Sequence, residues 1–144
     1  MLLRRIVGVR DQVLQVLVEG GAGVLGGFLA AGLVDRWELP GAFEIPGAIA
    51  LAASKKGKRY DGYVALGCVI RGETSHYDYV CGESARGLMD LAVQQKLAIG
   101  YGIVTVNTME QAEARAFIDR GDKGGDAAHA CLAMVADRKS TRLN

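Results

Sequence analysis

Short apolar, β-branched runs alternate along this chain with longer segments of helical spacing. The pattern predicts strands at 5–9, 34–39, 62–69 and 98–106, and helices at 12–31, 46–54, 79–95, 109–118 and 124–137. In the third of these helices Leu88, Leu91 and Ala92 recur at spacings of three and four, so one face is apolar. Repeated strand-then-helix order implies parallel strands joined by crossover helices, hence a three-layer α/β sandwich on a four-stranded parallel sheet. Four strands make a small sheet for so apolar a chain, which points to further burial by self-association. Residues 138–144 carry no apolar pattern. One domain over 1–138 and a loose tail over 139–144 are expected.

Composition narrows the class. The 144 residues suffice for one domain with its own core, and 50% hydrophobic with 23% charged residues is globular rather than disordered composition. A formal net charge of +1 gives no argument for nucleic acid or an anionic membrane as partner. Cys68, Cys81 and Cys131 are odd in number and lack CxxC spacing, which predicts reduced thiols in the cytoplasm and no zinc site. No apolar run reaches the roughly 18 residues a membrane helix needs. Arg4 and Arg5 interrupt the apolar start, so no signal-peptide pattern is present.

The candidate chemistry concentrates at 67–80, GCVIRGETSHYDYV. There a buried strand gives way to a cation, a glycine, two hydroxyls and one of only two histidines in the chain. Ligands of open parallel sheets gather at this carboxyl edge. His76 sits on the polar loop, where imidazole is a natural proton shuttle near neutral pH; an inert surface histidine is the plain alternative. His129, among Ala127, Ala130 and Cys131, reads as packing or interface. The only two prolines, Pro40 and Pro46, bracket Gly-Ala-Phe-Glu-Ile and stiffen a loop that presents Glu44 beside a helix N-terminus. Glu44 either caps that helix or accepts hydrogen bonds from ligand hydroxyls. Arg115, Arg120 and Lys123 form a late cluster of positive charge, either a phosphate grip or a solvated face paired locally. Gly21-Ala-Gly23-Val-Leu-Gly26 matches the dinucleotide GxGxxG spacing, but the nearest acids, Asp35 and Glu38, come too early for the ribose contact. A glycine-rich helix packed closely on its neighbours is the simpler reading.

Taken in order, PGAFEIP (40–46), GCVIRGETSHYDYV (67–80), YGIVT (101–105), EQAEARA (110–116) and GDKG (121–124) resemble the lumazine synthase family. Any one of these is weak; five in sequence at near-family spacing are specific. The resemblance implies a flavodoxin-like fold and assembly as a homopentamer, in some members as a sixty-subunit shell. It implies condensation of 5-amino-6-(D-ribitylamino)uracil with 3,4-dihydroxy-2-butanone 4-phosphate to 6,7-dimethyl-8-ribityllumazine, in riboflavin biosynthesis. No metal or organic cofactor is implied.

By the same resemblance, Ala42, Phe43 and Glu44, with Cys68, Val69 and Ile70, would hold the ribityl chain and pyrimidine. The backbone at Glu73 and Thr74 would cradle the phosphate, and His76 would donate protons. Tyr101 and Arg115 would come from the adjacent subunit, with Lys123 as supporting charge. The chain departs from the family at two places. An aromatic residue usually follows the first strand and stacks on the pyrimidine, whereas Gly8-Val9-Arg10-Asp11 stands here, with Val9 or a neighbour in its place. Phe117 and Asp119 fall where small and basic residues are expected. The missing ring keeps open an alternative, a pentameric or shell-forming flavin- or lumazine-binding protein with weakened catalysis. A riboflavin synthase of the archaeal type, which shares the fold, is a further enzymatic alternative.

Overall fold

A computed structural model of the chain describes residues 5–9, 34–56 and 60–140. In chain order they form β1 (Arg5–Val9), β2 (Val34–Glu38), α1 (Ile45–Ser54), β3 (Gly62–Ile70), α2 (His76–Gln94), β4 (Ala98–Val106), α3 (Met109–Ala116) and α4 (Lys123–Ser140). The helix predicted at 12–31, with its GxGxxG stretch, lies outside the described residues. Elsewhere the hydrophobic pattern located each element to within a few residues. The largest shifts are three residues, at the end of α4 and at the start of α2, whose first turn already includes His76, Tyr77 and Asp78. At the other end α4 runs two residues into the predicted tail, to Ser140. Arg138 donates to the Asp61 carbonyl at 2.6 Å, and the Lys139 ammonium lies 3.7 Å from the Asp61 carboxylate. The helix end is therefore tied to the start of β3.

The four strands lie in the order β2-β1-β3-β4. β3 and β4 are parallel and pair continuously from Gly62 opposite Ala98 to Ile70 opposite Val106. β1 is antiparallel to both its neighbours, with Arg5 opposite Leu66 and Val9 opposite Gly62. The expectation of an entirely parallel sheet is corrected on this point. A period-two pattern says which side chains share a face, but it carries no direction. An antiparallel neighbour also needs no crossover, so a five-residue strand satisfies the same pattern running either way.

Helices cover both faces. On one, Ile45 and Ile49 of α1 and Val80, Leu88 and Leu91 of α2 pack on Tyr63, Ala65, Ile99 and Ile103. Ile45 and Ile49 are completely buried, and each such side chain contributes roughly 1.5–3 kcal/mol. On the other face Ala112 of α3 meets Cys68, Val104 and Val106. There α4 comes so close to the strands that two positions admit no side chain. A methyl group at Gly100 would overlap the Ala127 carbonyl, and one at Gly62 would strike the Cys131 sulfur and Val135. The Cys131 thiol, fully buried in this seam, lies 3.5 Å from the Ala98 carbonyl that accepts from it. The result is a three-layer α/β sandwich, in which side-chain layers alternate with a seam of direct backbone contact.

Gly100→Ala should therefore lower stability by about 1–3 kcal/mol or more, the usual cost of overpacking. Gly47, in α1, has open space where a methyl would stand. Gly47→Ala should leave stability unchanged or raise it by about 0.5–1 kcal/mol. Denaturant unfolding of the two variants side by side checks the pair; equal stabilities would contradict the close seam.

Candidate active site

β3 and β4 end together, and the ladder continues one step beyond them. The Arg71 N–H donates to the Val106 carbonyl at 2.9 Å. Past that bond the chain leaves the sheet as an exposed loop, Gly72 to Ser75, and enters α2 at His76. A second loop, held by Pro40 and by Pro46 in the first turn of α1, approaches from the side. Between them lies a cavity of about 500 Å³. Its walls come from three short segments: 40–44, 68–70, and 72–80 at the start of α2.

Eight of the residues singled out from sequence meet there: Ala42, Phe43, Glu44, Cys68, Val69, Ile70, Thr74 and His76. Ala42 is buried and anchors the loop, while Phe43 and Glu44 are exposed toward the opening. Glu44 occupies the N-cap position of α1 yet makes no cap hydrogen bond with its side chain. The capping alternative weighed for it is not what the structure shows. Cys68 meets the cavity, but its buried side chain belongs to the opposite face with Val104 and Ala112. Its contribution to the wall is accordingly main chain. Glu73 is an exposed loop residue between the cavity-lining Gly72 and Thr74, and does not itself line the cavity.

Tyr101 and Arg115 stand apart from the cavity. Tyr101 lies on edge strand β4, 44% exposed, in a separate recess of about 380 Å³ with Leu88, Met89 and Ala92. Burial pushes its phenol above the ordinary range, with Cys81 and Tyr77 adding to the shift. Arg115 is exposed in the last turn of α3. Its backbone is held where the following turn folds back, with Gly121 N–H donating to Ala114 at 3.0 Å. Lys123 forms an ion pair with Asp126 at 2.6 Å, the kind of local pairing weighed for this cluster. His129 lies on the exposed side of α4 rather than in its packing face. Val9 is opposite Gly62, at the far end of β3 from the cavity. Eight residues at about 3.3 Å each put the two ends some 26 Å apart. Val9 therefore does not stand at a stacking position, a consequence of the reversed β1; Arg10 and Asp11 lie outside the described residues.

The model of the 6,7-dimethyl-8-ribityllumazine synthase family matches residues 10–139. The chain belongs to this family. Curated relatives include the 6,7-dimethyl-8-ribityllumazine synthases of Afipia carboxidovorans, 53% identical over 87% of this chain and 77% of that protein, and of Methylorubrum populi, 53% identical over 85% and 75%. The 6,7-dimethyl-8-ribityllumazine synthase 1 of Rhizobium meliloti is 52% identical over 87% and 82%. The lumazine synthase match begins immediately after β1, the strand whose direction the pattern did not reveal.

Sequence reading missed Gly41, Tyr77 and Val80 as walls of this lumazine synthase family cavity, which Pro40 and Gly72 also line. The helical spacing of 76, 77 and 80 was the available signal, because those positions share one face of a first turn. Gly72 has open space around it, so the loop backbone faces the cavity bare. Among the described residues no group of three or more His, Cys, Asp or Glu is placed to hold a metal ion. No helix among them is long and apolar enough to cross a membrane.

Two of the thiols, Cys81 next to the cavity-lining Val80 and Cys131 of α4 at the far end of the strands, are poor nucleophiles at neutral pH. Burial pushes Cys81 up, partly offset by a hydrogen bond with Tyr77, and pushes Cys131 to about 11. The folded state thus favours the neutral Cys131 thiol. Stability from this group is complete below the ordinary thiol range near 9 and is lost as pH rises toward 11. Unfolding midpoints should fall over that window, and Cys131→Ala should flatten the decline. A flat profile in the unsubstituted protein would contradict the burial argument.

Proposed function

We propose that the chain condenses 5-amino-6-(D-ribitylamino)uracil with 3,4-dihydroxy-2-butanone 4-phosphate to 6,7-dimethyl-8-ribityllumazine, phosphate and two waters. The observation that carries this reading is the convergence of Glu44, His76 and a bare glycine loop on one cavity, in a chain 53% identical to named lumazine synthases. Ala42 to Glu44 and the edge of β3 at Cys68, Val69 and Ile70 receive the pyrimidine and its ribityl chain, with Glu44 accepting from hydroxyls. The backbone at Glu73 and Thr74, ahead of the α2 N-terminus, takes the phosphate. The ring amine attacks the ketone and water leaves to give an imine. Phosphate is then eliminated, and closure by the ribitylamino nitrogen releases the second water. Each stage moves a proton, which suits His76. Holding the two substrates together supplies up to about 7–11 kcal/mol in favourable cases.

Tyr101 and Arg115 enter this reading from a neighbouring subunit of a homopentamer, or of a larger shell built from it. That neither lines the chain's own cavity supports that arrangement, as do the exposed apolar side chains of Met89 and Val93 on α2 and Tyr101 on β4. A flavodoxin-like fold and a cytoplasmic location complete the proposal, the latter supported by three cysteines that form no disulfide. One observation favours the binding-protein alternative: Gly8-Val9-Arg10-Asp11 carries no aromatic residue, although Phe43 and Tyr77 line the cavity. Lumazine formation, followed by absorbance with purified protein and both substrates, separates the two. Absence of product would leave the binding protein.

His76→Ala should slow turnover roughly 10–100-fold with the assembly intact, at or below the foot of the about 10²–10⁴-fold range for general acid–base groups because water can replace an exposed donor. Turnover independent of pH between about 6 and 8 would remove the assigned role. Arg115→Lys should weaken the butanone phosphate about 10–150-fold and the pyrimidine little, because a point charge cannot replace a planar fork worth about 1.5–3 kcal/mol. Mixed oligomers of Arg115→Ala and His76→Ala subunits should regain part of the activity if the site is shared. Sedimentation at micromolar protein should give a pentamer or larger; a monomer with full turnover would overturn the shared site.

A further inference from the structure

Arg71 stands just outside the cavity wall and takes no part in the roles given above, yet it touches three elements around the site. Its N–H extends the β3–β4 ladder through Val106. Its Nε donates to the Asn107 side-chain oxygen at 3.3 Å, and its terminal nitrogen to the Asp78 carboxylate at 3.2 Å. The guanidinium carbon lies 4.1 Å from the centre of the Tyr77 ring. Asn107 is itself held, because its N–H donates to Gln111 of α3 at 2.8 Å. One planar group therefore pins the first turn of α2 to the end of β4 and the start of α3.

Both partners half-expose the pair, with Arg71 at 46% and Asp78 at 60% of the side chain accessible. Such an ion pair adds little to stability. Geometry is where it counts. His76 makes no hydrogen bond through its ring to the described residues; its backbone N–H reaches Thr74 Oγ1 at 3.4 Å. The imidazole is thus aimed by the helix turn that carries it, and the next two residues of that turn are the ones Arg71 holds. Tyr77 also lines the cavity, so the stacked guanidinium sets one wall directly.

We propose that Arg71 is a positioning residue: its fork fixes the first turn of α2, and through it the His76 imidazole and the Tyr77 wall. The inference rests on the lumazine synthase reading for its kinetic test, but not for its structural one. Arg71→Gln should reduce kcat about tenfold, within the 10²-fold that a small misplacement costs, with KM for either substrate changed less than about twofold. In a His76→Ala background the same change should cost less than about twofold more, because the group being aimed is gone. A full multiplicative loss there would overturn the proposal. Arg71→Lys should fail to restore kcat, since an ammonium cannot serve Asn107, Asp78 and the ring at once; restoration would reduce Arg71 to a charge.

Hydrogen exchange gives a readout free of catalysis. The segment 74–80 should exchange faster in Arg71→Gln, while α4 exchanges as before. Unchanged exchange at 74–80 overturns the clamp whether or not the protein makes lumazine, whereas a missing product with faster exchange counts only against the reaction. Asp78→Asn removes one arm and leaves Arg71 in place, so it serves if the Arg71 variants do not assemble. A smaller loss of kcat in that variant supports the clamp, and no change in either kcat or exchange opposes it.

Discussion

The continuous parallel pairing of β3 with β4 is the constraint on which the chemistry of this chain depends. Because Ile70 and Val106 finish opposite one another, both strands release the chain at one edge. A parallel pair obliges the intervening residues to return as a crossover helix, and α2 therefore begins within a few residues of that edge. The cavity lies where a strand end, a crossover start and a proline-stiffened loop come together. Arg71 prolongs the ladder by one hydrogen bond and then ties its neighbours together. The backbone register thereby becomes side-chain geometry around His76 and Tyr77.

Much of this was legible in the residues. The change from Val-Ile to Arg-Gly-Glu-Thr-Ser-His marked the edge, since an apolar strand cannot continue into such a run and stay buried. Pro40 and Pro46 marked the second loop through their fixed backbone angles. What stayed hidden has a physical cause in each case. The direction of β1 cannot be read from five residues whose alternation is the same both ways. Glu44 sits at a helix N-terminus where a cap was a fair alternative, and only coordinates reveal that its carboxylate makes no such bond. Tyr77 lies ahead of the helix predicted from residue 79, and the pattern does not single it out as a wall, because a ring's orientation follows from what stacks on it. Its partner Arg71 is six residues earlier in the chain.

Position, more than burial, distinguishes the residues assigned to the reaction. The core clusters supply a rigid frame, yet Phe43, Glu44 and His76 are exposed, as groups that meet solvent-borne substrates must be. Tyr101 and Arg115 are exposed too, but on surfaces of the same subunit that its own cavity does not reach. Separation of this kind gives an oligomer a chemical role in the proposed reaction, with each chain supplying contacts to a neighbour while keeping its own proton donor.

The glycine seam beneath α4 bears on when the fold can form during synthesis. Every residue assigned to the cavity, and Arg115 as well, precedes α4. The cover for Gly62 and Gly100 comes from Ala127, Cys131 and Val135, near the end of the described chain. Until that helix has left the ribosome, the Gly62 and Gly100 end of this face lacks its α4 cover, while α3 packs only on the Cys68, Val104 and Val106 end. A nascent chain halted before residue 123 would carry the residues proposed for the site from Ala42 to Arg115 and still lack α4.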